Sequence, residues 1–234
     1  MGLVQVRLKL NGIANYKLVS EVQTIYNCDE LWVNGEKIKS DKVLSRNPQR
    51  SNHAYEEWIS DADVSDSPAL TFLKESIAFD YNGKKLGIFA DHDSMNDTSV
   101  CVMSLNTQGD YLLCDLDIRF PQSTTMESII TQLQKHDAVS EVEIIKQRDP
   151  HFVDENHVLI QSLKKAYSSI MNEEAVCITK GGASYARVMN HGVAFGATFE
   201  GEDPRPHMPN ENMSVESLMK AIEIYISSLE IMCS

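Results

Sequence analysis

The sequence predicts a chain of mixed α/β (α+β) class, with a ferredoxin-like plait over residues 1–150 and a shorter, partial α/β segment over residues 151–234. Three observations predict it. The chain opens on a run that alternates apolar and polar side chains. Residues 100 to 146 then read strand, strand, helix, strand. Past Arg148-Asp149-Pro150 the pattern changes to helix, short strand, short strand, helix around a glycine pair.

Val4, Val6, Leu8 and Leu10 alternate with Gln5, Arg7 and Lys9, the period of a strand with one buried face, and Asn11-Gly12 closes it. Residues 16 to 27 read as a short helix. Leu31 to Ile38 carries Asn34-Gly35, the signal of a hairpin. Residues 40 to 68, rich in Ser, Asp and Asn, read as a loop. Leu70 to Phe79 has a helical pattern, Leu86 to Ala90 reads as a strand, and residues 91 to 98 form a polar loop.

Val100 to Leu105 and Tyr111 to Phe120 are predicted as antiparallel strands. In the second, Leu112, Cys114, Leu116, Ile118 and Phe120 share one face, while Asp115, Asp117 and Arg119 share the other. Thr124 with Glu127 three places on is a capping box for a helix bearing Met126, Ile129, Ile130 and Leu133 on one stripe. Val139 to Ile145 returns as a strand. With the opening strand and the early helix, this order suits a split β-α-β plait.

Beyond residue 150, Asp154 or Asn156 is expected to cap a helix from 157 to 171, with Leu159, Leu163, Ala166 and Ile170 facing the core. Val176 to Thr179 and Val193 to Phe199 are predicted as short strands. Ser214 caps a last helix whose stripe is Leu218, Ala221, Ile222, Tyr225, Ile226 and Leu229. No internal repeat is present.

The formal net charge of −13 argues against nucleic acid, which demands clustered Lys and Arg. No apolar run reaches membrane-spanning length, and the alternating N-terminus reads as a strand rather than a signal peptide. Five cysteines without paired spacing favour reduced thiols in a cytoplasmic protein.

Candidate chemistry concentrates in Lys180-Gly181-Gly182-Ala183-Ser184-Tyr185-Ala186-Arg187, Gly192 to Gly196, and His207-Met208-Pro209-Asn210-Glu211. A glycine pair bares two backbone N–H groups, the means by which a loop holds a carboxylate; a tight turn explains it equally. A loop histidine is a metal ligand or a solvated side chain. Asp91-His92-Asp93 offers hard ligand atoms, though such a turn ordinarily faces water. Arg119 beside Asp117 suits either a cross-strand ion pair or ligand binding.

These motifs, with His151-Phe152-Val153, Asp117 to Pro121 and Phe79 to Ile88, resemble the C-terminal part of the PepV-type dipeptidases. That group lies in the co-catalytic zinc peptidase superfamily, alongside carnosinases and aminoacylases. The likeness covers residues 70 to 233 and rests on several separate motifs recurring in order. It implies a lid plait followed by a partial zinc-peptidase catalytic segment, and hydrolysis of short peptides by a zinc-activated water in the complete enzyme.

By resemblance, His207 matches a zinc ligand. Arg119 matches a lid arginine that grips the substrate carboxylate, Gly181 and Gly182 match a loop that helps hold the same end, and His53 matches a catalytic lid histidine. Ala183 stands where the pattern usually has a third glycine. The family's His-x-Asp motif, bridging Asp and Glu-Glu pair are not found, so the chain is expected to begin where the lid begins. One imidazole is too few for two zinc ions. The expectation is therefore a chain that retains no zinc and is inactive alone, with the lid offering a homodimer surface. The competing expectations are a non-catalytic dimerisation or peptide-carboxylate-binding module, and one chain of a split enzyme.

Overall fold

The computed structural model describes residues 1–24, 27–38, 53–179, 184–196, 198–205 and 209–234. The chain divides into two compact units, Met1–Pro150 and His151–Ser234.

The first unit is built on a seven-stranded antiparallel sheet. Its strands are β1 (Gly2–Asn11), β2 (Leu18–Thr24), β3 (Asn27–Val33), β4 (Glu36–Ile38), β5 (Ser99–Gln108), β6 (Tyr111–Phe120) and β7 (Val139–Arg148), in the order β4-β3-β2-β5-β6-β1-β7. The helices of this unit are α1 (His53–Asp61), α2 (Pro68–Phe72, continued by a π-helical turn over Leu73–Ile77) and α3 (Met126–Leu133). Strands β1, β5, β6 and β7, crossed over by α2 and α3, make the predicted split β-α-β plait. β2, β3 and β4 widen the sheet beyond β5.

The alternation of β1 fixes the centre. Val4, Val6, Leu8 and Leu10 are fully buried and stand directly across from Ile118, Leu116, Cys114 and Leu112 of β6, which are equally buried. A one-residue slip would turn both sets to the wrong face, so burial itself locks the register. Leu70, Leu73, Ile129 and Leu133 from the helices complete this core.

Two predicted elements differ. Residues 16 to 27 are not helical: Leu18–Thr24 is β2, paired with β3. The β-branched and apolar residues here find a sheet edge to extend, and tertiary pairing overrides a weak local preference. The plait's first helix is therefore the later one, which opens with Ser67 as N-cap and Pro68 at the first turn. Leu86 to Ala90 is not a strand. It follows a turn closed on Asp80, whose carboxylate accepts from the N–H groups of Lys84 (3.1 Å) and Lys85 (2.8 Å). Gly83 there has φ +73°, and a Cβ on it would lie 2.4 Å from Ile88 Cγ1. The loop over 40 to 68 is replaced in part by α1, while residues 39–52 lie outside the described residues. The Asn34-Gly35 hairpin stands as predicted, both residues with positive φ. The helix α3 is capped by Thr125, one place after the predicted residue.

The second unit contains α4 (Val158–Met171), a 3-10 turn at Tyr185–Val188 and α5 (Val215–Cys233), with α4 packed on α5. α4 is capped by His157, whose Nδ1 accepts from Leu159 N, in place of Asp154 or Asn156. Its buried residues are Ile160, Leu163 and Ala166, whereas Leu159 is half-buried and Ile170 exposed. Asn172, left-handed at φ 62°, ends it. Neither Val176–Thr179 nor the described part of Val193–Phe199 is a strand, and Val176 and Ile178 face solvent. Two isolated apolar runs make no sheet without neighbouring strands to pair with. On α5 the buried row is Ser217, Ala221, Ile224 and Ser228. Apart from Ala221, the predicted stripe sits one residue on, about 100° around the helix, and is exposed. No helix among the described residues is long and apolar enough to cross a membrane.

Leu8→Ala is expected to cost about 2–5 kcal/mol in denaturant unfolding, since it empties a fully buried site on the central strand pair. The hydroxyl of Tyr81 donates to the buried carboxylate of Glu56 (3.2 Å). Burial first, then Glu56, pushes the Tyr81 phenol from 10.0 up to about 12. A raised folded-state value stabilises the fold below pH 10, and that contribution is lost as pH climbs through 12. Alkaline melting curves should therefore fall over that window, and Tyr81→Phe should flatten the fall.

Candidate functional site

Arg119 is the one predicted site residue whose side chain is described, and its setting is built from the sheet outward. On the face of β1 and β6 opposite the apolar core, Gln5 stands across from Asp117 and Arg7 across from Asp115. Both aspartates are buried. Buried carboxylates persist only when paired and hydrogen-bonded. Arg7 holds Asp115 bidentately, with Nε to Oδ1 at 2.8 Å and Nη2 to Oδ2 at 3.0 Å, and the Ser104 hydroxyl donates to Oδ2 at 2.8 Å. Asp117 accepts from Gln5 Nε2 (2.9 Å) and from Arg119 Nε (3.0 Å).

Arg119 therefore forms an ion pair, though not across strands: its partner is two residues away on the same strand and face. The Asp117 bond tethers the guanidinium through its Nε. Leu3 and Ser99 flank Arg119 in register on the neighbouring strands. The Arg7 guanidinium is held above its ordinary value chiefly by the Asp115 hydrogen bond.

His53 is the first residue of α1, and its side chain is not among those described. Gly181, Gly182 and His207 lie outside the described residues, as does Ala183. Among the described residues no three His, Cys, Asp or Glu side chains stand together as a metal-binding group. The donors described do not fit a zinc ion. Asp91 and Asp93 lie on an exposed loop, where Ser123 Oγ donates to the Asp91 carbonyl (2.5 Å) and His92 Nδ1 accepts from Ser94 N (3.0 Å).

His151 and His157, which flank the start of α4, both have structural work. His151 Nε2 stands 2.6 Å from the Gly192 carbonyl, tying the start of the second unit to the Gly192–Gly196 segment. His157 stacks on His191 with ring centroids 4.8 Å apart. Gly192 admits no side chain, because a Cβ would meet the Ala186 carbonyl at 2.5 Å. Tyr225 of α5 donates to the Phe195 carbonyl and packs edge-on against the Phe195 ring.

Next along the chain, Glu202 accepts from Phe199 N (2.8 Å) and from the Ser217 hydroxyl. The Phe199 amide, then Ser217, holds this carboxyl below its usual range. Thus Gly192, Phe195 and the Phe199–Glu202 turn are held by hydrogen bonds to histidine, tyrosine and serine rather than by strand pairing. None of these anchors has a sequence signal: each depends on a contact between separate segments.

The first unit carries a sheet-mounted arginine and the second is helical with irregular, glycine-bearing segments, so the chain is of two-part α+β class. The model of Peptidase family M20/M25/M40 matches residues 11–230, and the chain belongs to that family. Among curated proteins it is 32% identical over 167 residues to the Beta-Ala-Xaa dipeptidase of Lactobacillus delbrueckii subsp. lactis, covering 70% of this chain and 35% of that protein. It is 34% identical over 156 residues to a protein named as a provisional dipeptidase in Staphylococcus haemolyticus, covering 64% of this chain and 33% of the other. The chain thus spans about a third of the length of the curated relatives it matches. Among solved structures, an M20 family metallo-carboxypeptidase of Sulfolobus solfataricus has the same fold, with TM-score 0.51 and 16% identity, over 98% of this chain and 58% of that one.

Asp117→Ala removes the acceptor shared by Gln5 and Arg119. Breaking this buried pair is expected to cost about 3–5 kcal/mol in urea unfolding, and Asp117→Asn less, because an amide oxygen still accepts.

Proposed function

We propose that this chain is the lid and C-terminal catalytic segment of a metallodipeptidase that cleaves short peptides. The observation that carries the reading is the family match over residues 11–230, joined to relatives named for dipeptidase action. In this reading Arg119 grips the peptide's C-terminal carboxylate, and Gly181 and Gly182 hold the same end with backbone N–H groups. His53 acts on the tetrahedral intermediate, and His207 holds one metal ion. When bound, zinc would supply the activated water. Support for Arg119 comes from its mounting: a central strand and the Asp117 bond orient the guanidinium before a ligand arrives. Cys177 and Cys233 are exposed free thiols, which suits a reducing, cytoplasmic setting.

The 234 residues taken alone are proposed to be inactive, because the resemblance assigns them a single metal ligand, His207, and one imidazole is too few for two zinc ions. The exposed Leu218, Ile222, Tyr225 and Leu229 of α5 favour a second reading, in which the rest of the catalytic machinery is a separate polypeptide that covers this face.

Purified chain given a dipeptide with zinc or manganese should show no hydrolysis, and clear turnover overturns the proposal of inactivity. For the carboxylate grip, the Arg119 side-chain NMR signal should move on titration with a dipeptide and stay in place with the same dipeptide amidated at its C-terminus. Equal movement with both removes Arg119 from that role.

A further inference from the structure

Two aspartate–arginine pairs lie side by side on the polar face of β1 and β6, and they are built differently. Arg7 meets Asp115 as a fork, Nε on one oxygen and Nη2 on the other. Arg119 meets Asp117 at one point, Nε to Oδ1 at 3.0 Å, and that bond alone joins the two side chains.

Burial by itself favours the opposite. The Arg119 side chain is 13% exposed and that of Arg7 38%, while the Asp117 side chain is 4% exposed and that of Asp115 12%. The drier pair has more to gain from the two-bond geometry, so something must hold it apart.

Gln5 does so. It stands on β1 directly across from Asp117, and its Nε2 donates to Oδ2 at 2.9 Å. The donor has to be the nitrogen, because an ionised carboxylate only accepts and the glutamine oxygen has no proton to give. On the β5 side Asp117 faces Cys101, whose thiol is a weak donor and is directed at the Val102 carbonyl. Among the described residues Asp117 thus has two donors, and they divide its oxygens. Gln5 draws Oδ2 toward β1, and Arg119 takes Oδ1 along β6. At Asp115 the additional donor, Ser104, comes from β5 and shares Oδ2 with Arg7, which leaves the fork intact.

We infer that Gln5 is a positioning residue for Arg119: by holding Oδ2 it keeps Asp117 away from the Nη edge of the guanidinium, the edge through which arginine receives a carboxylate as a fork. The inference rests on the carboxylate grip proposed for Arg119 and names the residue that sets its strength. Without the Gln5 amide, Oδ2 would be a buried acceptor short of a donor, and a turn toward Arg119 would relieve that cost. The pair would close as Arg7 and Asp115 do, and an incoming carboxylate would first have to displace Asp117.

Gln5→Met keeps the side-chain shape and removes the donor. In NMR spectra of the whole chain, the wild type should show scalar coupling across the hydrogen bond between Asp117 Cγ and Arg119 Nε only, and Gln5→Met should add a coupling to an Nη of Arg119. Titrated with alanylalanine, Gln5→Met should bind roughly tenfold more weakly than the wild type, while alanylalanine amide binds both alike. In an Asp117→Asn background, Gln5→Met should leave the alanylalanine affinity unchanged, since the carboxylate it acts through is gone. An unaltered coupling pattern in Gln5→Met overturns the inference. So does equal weakening for both peptides, which marks a merely structural role. A wild type that binds neither peptide refutes the grip proposed for Arg119, whereas the coupling switch seen there still upholds the hold of Gln5 on Asp117. If Gln5→Met unfolds, Gln5→Lys returns a donor to Oδ2 and should keep the wild-type coupling; a new Nη coupling in that variant overturns the inference equally.

Discussion

The pairing of β1 with β6 is the constraint from which the rest of the first unit follows. Four apolar residues of each strand meet on one face and exclude water completely. The opposite face must then carry Gln5, Arg7, Asp115, Asp117 and Arg119, because the pleat leaves them nowhere else to go. Two aspartates are thereby committed to a buried position, and burial obliges them to find donors. Arg7, Gln5, Ser104 and Arg119 are those donors. The orientation of Arg119 is thus a consequence of core burial on the other side of the sheet.

Where side-chain period carried the information, the fold was legible. Val4 to Leu10 and Leu112 to Phe120 announced both their strands and their faces, and Asn34-Gly35 announced its hairpin. The failures share a cause. Leu18–Thr24 has no strong period of its own and becomes a strand because β3 and β5 accept it. Leu86 to Ala90 has strand composition but follows a turn in which Lys84 and Lys85 donate to the Asp80 carboxylate, a contact that lies outside its own five residues. On α5 the small row Ser217, Ala221 and Ser228 is buried because small residues let a neighbouring helix approach, whereas a hydrophobicity stripe selects the large ones.

Of the site, Arg119 was legible as a charged residue on a polar strand face, and the structure adds the Asp117 carboxylate that its Nε bonds. His151 and His157 were not legible as anchors, since an isolated histidine has no local pattern and gains its role from Gly192 and His191. The two units also differ in how they are held. The first is closed by a continuous apolar core. The second is tied by polar bonds, with most of the large apolar side chains on its surface, including Val176, Ile178, Tyr185 and Leu229. Family membership, established over residues 11–230, accounts for the motifs in both.

The place of β1 in the sheet also governs how the chain can be made. Of the first unit's strands this one leaves the ribosome before the others, yet both its neighbours come late: Gln5 bonds to a residue 112 positions onward, and β7 is later still. Its water-shunning stripe must wait through most of the first unit's synthesis with no mate. Long-range closure of this kind is slow and leaves sticky segments uncovered. Nascent chains of this protein are therefore natural clients for a holding chaperone, and stalled products shorter than the first unit should be prone to clump.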